Sequence, residues 1–287
     1  MPLEITFLGT GTSAGVPMIG CDCEVCRSDD PRDRRDRAGV LIRYPDPSLE
    51  VGAEHRRFNP QQAGVRQLLV DTTPDLRHQA IRAGLSRVDG VMVTHTHADH
   101  IFGLDDLRRF NATMDAALDV FAEPSAVDTL HAMFPYIFTP QKNKTSFVAN
   151  LIAHRVEPGV AVEIHGGTWT PLRLLHGRLP ILGYRVDFGG ASLAYCTDVS
   201  TVPPETWPLL QDLDLLVIDA LRYRHHPTNL TGEQALTIID RVAPRRALLT
   251  HLAHDLQHAK LLDELPAGVE PAYDGLTVRL PGTVDRT

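Results

Sequence analysis

The sequence predicts a mixed α/β fold on two observations. Short apolar runs of strand length alternate with stretches of helical length, and most of the apolar runs end on a polar, chemically capable residue. Strand-like runs occupy residues 4–8, 39–43, 67–71, 90–94, 192–196, 213–218 and 246–250. Helical spacing covers 74–83, 100–110, 124–133, 232–242 and 255–262. Strands that finish at Asp71, Thr94-His95, Thr197-Asp198, Asp219 and Thr250-His251 put those side chains where open α/β sheets gather their sites. No repeat of fixed period is visible, although the pattern is compatible with a pseudo-symmetric architecture. The stretches 32–37 and 45–60 are charged or turn-rich and read as surface loops. Neither is long enough to separate domains, so residues 1–287 are expected to fold as one domain, with a flap around 134–150 suggested by Tyr136, Phe138 and the polar run that follows.

Composition narrows the function. With 43% hydrophobic and 22% charged residues, a 287-residue chain can bury a substantial core without a partner. A formal net charge of −8 argues against a nucleic-acid binder that relies on counterion release. Lysine occurs only at Lys142, Lys144 and Lys260, and the arginines that make up the rest suit bidentate phosphate contacts. The longest apolar run, 213–221, is broken by Asp214 and Asp219, and the first nine residues carry Glu4 and no basic segment, so no membrane span and no export signal are expected. The expected location is the cytoplasm. There, three cysteines in six residues, Cys21, Cys23 and Cys26, favour a metal over a disulfide.

The most informative segment is Thr94-His95-Thr96-His97-Ala98-Asp99-His100. Three imidazoles and a carboxylate in six residues directly after a strand can converge on one small volume, and that donor set suits zinc, manganese or iron. The pattern H-x-H-x-D-H formed by His95, His97, Asp99 and His100 resembles the signature of the metallo-β-lactamase superfamily, over nearly the whole chain. The resemblance implies an αββα sandwich and a dinuclear site for two divalent metals, zinc or manganese. It carries over His176, Asp198 and His251 in order. His95, His97 and His176 would hold one metal, Asp99, His100 and His251 the other, with Asp198 between them. Asp71 in Val70-Asp71-Thr72 matches the aspartate that would orient the loop from behind. A hydroxide shared by the metals would then attack a phosphodiester.

A closer resemblance covers the opening Gly9-Thr10-Gly11-Thr12-Ser13-Ala14-Gly15-Val16-Pro17 and the cysteine cluster, which are similar to the phosphodiesterases of the carbon-phosphorus lyase pathway and their relatives. It implies a structural zinc on Cys21, Cys23, Cys26 and His254, leaving His251 for the catalytic pair. A helix starting near His254 would let these two histidines face different metals. The glycine-rich opening lacks the Lys-Ser/Thr pair of a P-loop and reads as a turn.

One departure bears on proton delivery. Relatives often carry H-P-T-H-L, with the second histidine as proton donor to the leaving alkoxide, where this chain has His226-Pro227-Thr228-Asn229-Leu230. An amide cannot act as an acid near neutral pH. Asn229 is then a natural change suited to another leaving group, a replacement that slows turnover, or a site whose role passes to His225 or His226. The structural alternative is that it caps the helix beginning near Thr231.

Arg178 and His226 are expected to contact substrate, with Arg108, Arg109 and Asn111 as further candidates. Asp71, Asp99 and Asn229 are expected in catalysis. The expected substrate is a small phosphodiester, cyclic ones included, with no membrane or nucleic-acid partner and a homodimer as the candidate assembly. The competing readings are an RNA nuclease of the tRNA 3′-processing type and a metal-binding protein with weak turnover.

Overall fold

A computed structural model describes residues 2–49, 64–138 and 147–282. The first sheet contains β1 (Leu3–Gly9), β2 (Gly39–Pro45), β3 (Val65–Val70), β4 (Gly90–Met92), β5 (Leu118–Ala122) and β6 (Leu151–Arg155). The second contains β7 (Val162–Ile164), β8 (Gly167–His176), β9 (Leu179–Phe188), β10 (Ala191–Cys196), β11 (Leu215–Asp219), β12 (Arg246–Thr250) and β13 (Val269–Pro271). The last strand, β14 (Thr277–Leu280), returns to pair with β1. Each sheet has seven strands, antiparallel on one side and parallel on the other, with the change of direction at β3 in the first and at β10 in the second. Parallel neighbours need crossover connections, so their C-terminal ends line up along one edge.

Helices cover the outer faces. On the first sheet lie α1 (Leu76–Arg82), α2 (Ala98–Ile101), α3 (Arg108–Met114), α4 (Pro124–Met133) and α5 (Pro135–Phe138), and on the second α6 (Gly232–Val242) and α7 (His258–Glu264). Three apolar layers result. The central one interleaves Ile5, Phe7, Ile42 and Tyr44 with Trp169, Leu182, Tyr184 and Val217, and each outer one packs a sheet against its helices. This is the αββα sandwich that the resemblance implied.

The two sheets are also tied by hydrogen bonds beside the metal loop. The Tyr184 hydroxyl donates to the carbonyl of Val93 at 2.7 Å, and the Leu182 N–H donates to that of Thr94 at 2.9 Å. These bonds help explain why β4 stops at Met92, two residues before the end the sequence suggests. The Val93 N–H still reaches Phe121, but the Thr94 N–H donates to the Asp71 carboxylate.

Three sequence expectations need correction. Residues 100–110 do not form one helix: α2 ends at Ile101 and a 3-10 turn at Leu104–Leu107 precedes α3. Gly103 lies so close to the chain that a Cβ there would sit 2.1 Å from the Thr73 carbonyl oxygen. Residues 32–37 are not simply a solvated loop, since Asp33 and Arg35 are buried as an ion pair. The helix expected from 255 starts only at His258, because Arg35 takes the Ala253 and Leu256 carbonyls and Asp33 accepts the His258 N–H. Strands β5 to β9, β13 and β14 lie outside the runs read from the sequence. Much of 45–60 and of the 134–150 flap falls outside the described residues.

Replacing Tyr184 with Phe strips the buried Val93 carbonyl of its cross-sheet donor. We expect a loss of about 1–3 kcal/mol in urea denaturation, and an unchanged midpoint would show that the tie carries no weight.

Candidate metal centre

The centre forms at the aligned strand ends. Asp71 follows β3 in a left-handed conformation (φ 67°), Asp198 follows β10 (φ 56°) and His251 follows β12 (φ 59°). Non-glycine residues seldom adopt this conformation, and here it turns three site side chains off their strands toward one volume.

Asp71 organises the loop. Its carboxylate accepts the Thr94 N–H at 2.8 Å, the Thr94 hydroxyl at 2.8 Å and His100 Nδ1 at 2.7 Å. Thr94 Oγ1 in turn lies 3.0 Å from His95 Nδ1. With their Nδ1 atoms engaged, both rings present Nε2 to the centre. His176 does the same, its Nδ1 lying 2.8 Å from the Asp198 carbonyl oxygen.

His100 Nε2 stands 3.3 Å from Asp99 Oδ2 and 3.2 Å from Asp198 Oδ2, while His251 Nε2 stands 3.3 Å from Asp198 Oδ1. The ligand atoms of His95, His100 and Asp198 lie within 4.8 Å of one another, as do those of Asp99, His100 and His251. His97 completes the ring cluster, 4.6 Å from His95 and 5.2 Å from His176 between centroids. All seven expected ligands thus meet in one place.

Electrostatics show what the centre requires. Burial favours the neutral form of Asp198, but the facing His251 and His100 overcome it and hold the carboxyl well below its ordinary range. Asp99 is likewise lowered to about 2, with burial opposed chiefly by His100. Burial lowers the His251 pKa, but Asp198 and Asp219 outweigh it and carry the value up to about 9. Burial and neighbouring imidazoles push His95 far down. The buried Nε2 atoms of His95 and His251 have no hydrogen-bond partner. Ionised carboxylates facing bare imidazole nitrogens are a donor set that fits divalent cations.

A second cluster lies alongside. His254 Nδ1 is 3.2 Å from Cys21 Sγ, 3.5 Å from Cys23 Sγ and 3.7 Å from Cys26 Sγ, and the cysteines are unbridged. Donation from the Cys26 N–H helps lower the Cys23 thiol to about 7, while burial raises Cys26 to about 11. Three sulfurs and an imidazole in this spacing fit a tetrahedral zinc. Arg35 clamps the two halves together. Its backbone pairs with Val16 on the cysteine side, and its side chain binds the Ala253 and Leu256 carbonyls that flank His254. His251 and His254 face different clusters from a loop, without the expected helix.

The metal centre opens into a cavity of 540 Å³ whose wall includes Thr12, Met18, His97, Asp99, Arg222 and His226. Asn229 also lines it but is only 4% exposed. It does not cap α6, since Thr231 does so with Gln234 in a capping box. Arg178 is exposed on an adjoining cavity of 550 Å³ shared with His225 and His226. The further candidates lie elsewhere. Arg108 and Arg109 border a groove of the outer helix layer, and Asn111 is buried and bonded to Ala116 and Asn150. Sequence reasoning did not single out Asp219 behind His251, or Arg35 and Tyr184. Only the strand-end position of Asp219 hinted at a role.

A profile of the β-lactamase superfamily domain matches residues 66–252. The chain belongs to the metallo-β-lactamase superfamily. Within it, the chain is close to PhnP-like enzymes: a solved diphosphatase from the PhnP family is 37% identical, with a TM-score of 0.82 over 97% of this chain and 98% of that one. An octanoyltransferase of Porphyromonas gingivalis is 38% identical over 276 residues, which are 96% of this chain but 51% of that protein, so the chain spans about half of its length. A ribonuclease Z of a Cyanothece species is 27% identical over 97% of this chain and 96% of its own. Divalent-metal binding goes with this superfamily, and the clusters above supply the donors.

Asp71→Asn keeps a residue that tolerates the left-handed conformation but weakens the hold on His100. We expect divalent-metal affinity to fall about 10–100-fold in a chelator competition, and unchanged affinity would count against the orienting role. Because a metal at His251 must displace the proton bound below about pH 9, affinity is expected to drop as pH falls from 9 to 6. Titration calorimetry should show proton release on binding.

Proposed function

We propose that the chain is a metal-dependent phosphoric diester hydrolase acting on small phosphodiesters, cyclic ones included, with two divalent ions. The observation that carries the reading is the convergence of His95, His100 and Asp198 with Asp99 and His251 beneath an open cavity. His95, His97 and His176 would hold one ion and Asp99, His100 and His251 the other, with Asp198 between them. Zinc or manganese suits this set of nitrogen and oxygen donors. Cys21, Cys23, Cys26 and His254 would hold a structural zinc. Bound there, the catalytic ions supply Lewis acidity toward phosphoryl oxygens and lower the pKa of water.

The chain's own side chains do the positioning. Asp71 holds the His100 ring. Asp99, ionised throughout the neutral range, is an acceptor for the proton of the attacking water. Asn229 donates to Asp219 at 2.8 Å, and Asp219 stands 3.4 Å from His251 Nδ1, so this pair steadies His251 from behind. Arg178 and His226 border the cavity beside the centre and are placed to receive substrate. Both sheets feed one centre, which supports reading residues 1–287 as one metallo-hydrolase domain. Unbridged cysteines suit the reducing cytoplasm.

The similarity to a PhnP-family diphosphatase supports chemistry at phosphorus. The likeness to a ribonuclease Z favours a second reading, RNA 3′ processing, against which stand the net charge of −8 and the size of the cavity. Zinc- or manganese-loaded protein offered bis(p-nitrophenyl) phosphate, cyclic nucleotides, ribose cyclic phosphate and pre-tRNA should turn over the small diesters. Cleavage of pre-tRNA alone would favour the nuclease, and bound metal without turnover of any substrate would favour a binding protein.

A further inference from the structure

We propose that His226 delivers the proton to the leaving-group oxygen, its ring held by Thr228 with Asn229 behind it, and that this oxygen faces the cavity lined by Arg178 and His225. This rests on the phosphodiesterase reading. The starting observation is that Asn229 is turned toward the protein. Its Nδ2 donates to Asp219 Oδ2 at 2.8 Å and lies 3.3 Å from His251 Nδ1, and its Oδ1 accepts the Thr228 hydroxyl at 2.8 Å, while an amide has no acidic proton to give a leaving oxygen. Thr228 Oγ1 also lies 3.1 Å from His226 Nδ1, so one hydrogen-bonded row runs from His226 through Thr228 and Asn229 to Asp219. Because the Thr228 hydroxyl hydrogen goes to Asn229, Oγ1 is the acceptor for a protonated His226 Nδ1, the form an acid requires.

Position selects His226 over its neighbour. His226 lines both the metal-centre cavity and the adjoining one, whereas His225 lines only the latter and is exposed. His226 therefore stands at the boundary that a bond broken at the centre would face. Partial burial and the charge of Arg222 lower its pKa, with His176 and His251 across the cavity adding to the effect and Asn229 opposing it, which makes the imidazolium a stronger acid. In the step itself, water adds its oxygen to phosphorus and loses a proton to Asp99 or solvent. The bond from phosphorus to the leaving oxygen breaks, that oxygen takes the Nε2 proton, and His226 regains one from solvent through the open cavity.

The test uses metal-loaded protein and two substrates, 2′,3′-cyclic adenosine monophosphate, whose leaving group is an alkoxide, and bis(p-nitrophenyl) phosphate, whose leaving group needs little protonation. His226→Gln should lower kcat on the cyclic substrate by about 100-fold or more, with only a small loss on the nitrophenyl diester and no change in bound metal. Thr228→Val should show the same selectivity in weaker form and move the His226 Nδ1 resonance in 15N-histidine spectra, and Thr228→Ser should restore both. Equal losses on the two substrates, or full activity of His226→Gln on the cyclic one, would overturn the assignment of His226 while leaving the phosphodiesterase reading in place. An unaltered enzyme that cleaves neither diester would overturn both.

Discussion

The geometry of the metal centre depends on the Asp71 carboxylate. One buried side chain takes the Thr94 N–H, the Thr94 hydroxyl and the His100 ring nitrogen, and through Thr94 it reaches His95 as well. A loop of six residues carrying four donor side chains would otherwise sample many arrangements, each with imidazoles free to turn. Engaging Nδ1 settles both the orientation of a ring and which nitrogen faces inward. The left-handed backbone at Asp71 is part of the same device, since in that conformation its carboxylate meets Thr94 and His100.

The sandwich lets distant segments share this centre. Each sheet changes from antiparallel to parallel pairing once, at β3 and at β10, and the residues just beyond those strands are Asp71 and Asp198. Packing the two sheets face to face brings the two changes of direction to the same end of the molecule. The bonds from Tyr184 and Leu182 to the carbonyls before and within the metal loop make that packing specific, since a slip between sheets would leave buried carbonyls unpaired.

The cysteine cluster is joined to the centre through His251 and His254. Arg35 holds this connection, with its side chain fully buried, because its guanidinium satisfies two carbonyls that cannot enter a helix ladder. A lysine there would offer a single point of charge in place of the fork that spans both carbonyls. The arrangement links the N-terminal turn, the cysteine loop and the segment from His251 to His254.

The sequence by itself determined a mixed α/β class, the His95 to His100 motif and the cysteine cluster, together with the bounds of α4, α6 and β12, and the family resemblance added the αββα sandwich and the candidates His176, Asp198 and His251. The features read directly are local: a motif of fixed spacing, or an apolar run bounded by turn residues. Only the tertiary structure decided the rest. The long β8 and β9 hairpin was hidden because Pro171, Arg173, Pro180 and Arg185 break its pattern, and pairing with each other and with β10 makes them strands. Nothing within residues 32–37 marked Asp33 and Arg35 for burial, since the carbonyls of Ala253 and Leu256 and the N–H of His258 that their side chains bind lie more than 200 positions away. Asn229 stood out in the sequence as the missing acid, but that its amide is bonded to Thr228 and Asp219 beside His251, with His226 at the boundary of the two cavities, depends on contacts between β11, β12 and the loop before α6. Ligand identity follows from side-chain chemistry and spacing. The freedom of each side chain to act follows from what the fold places against it.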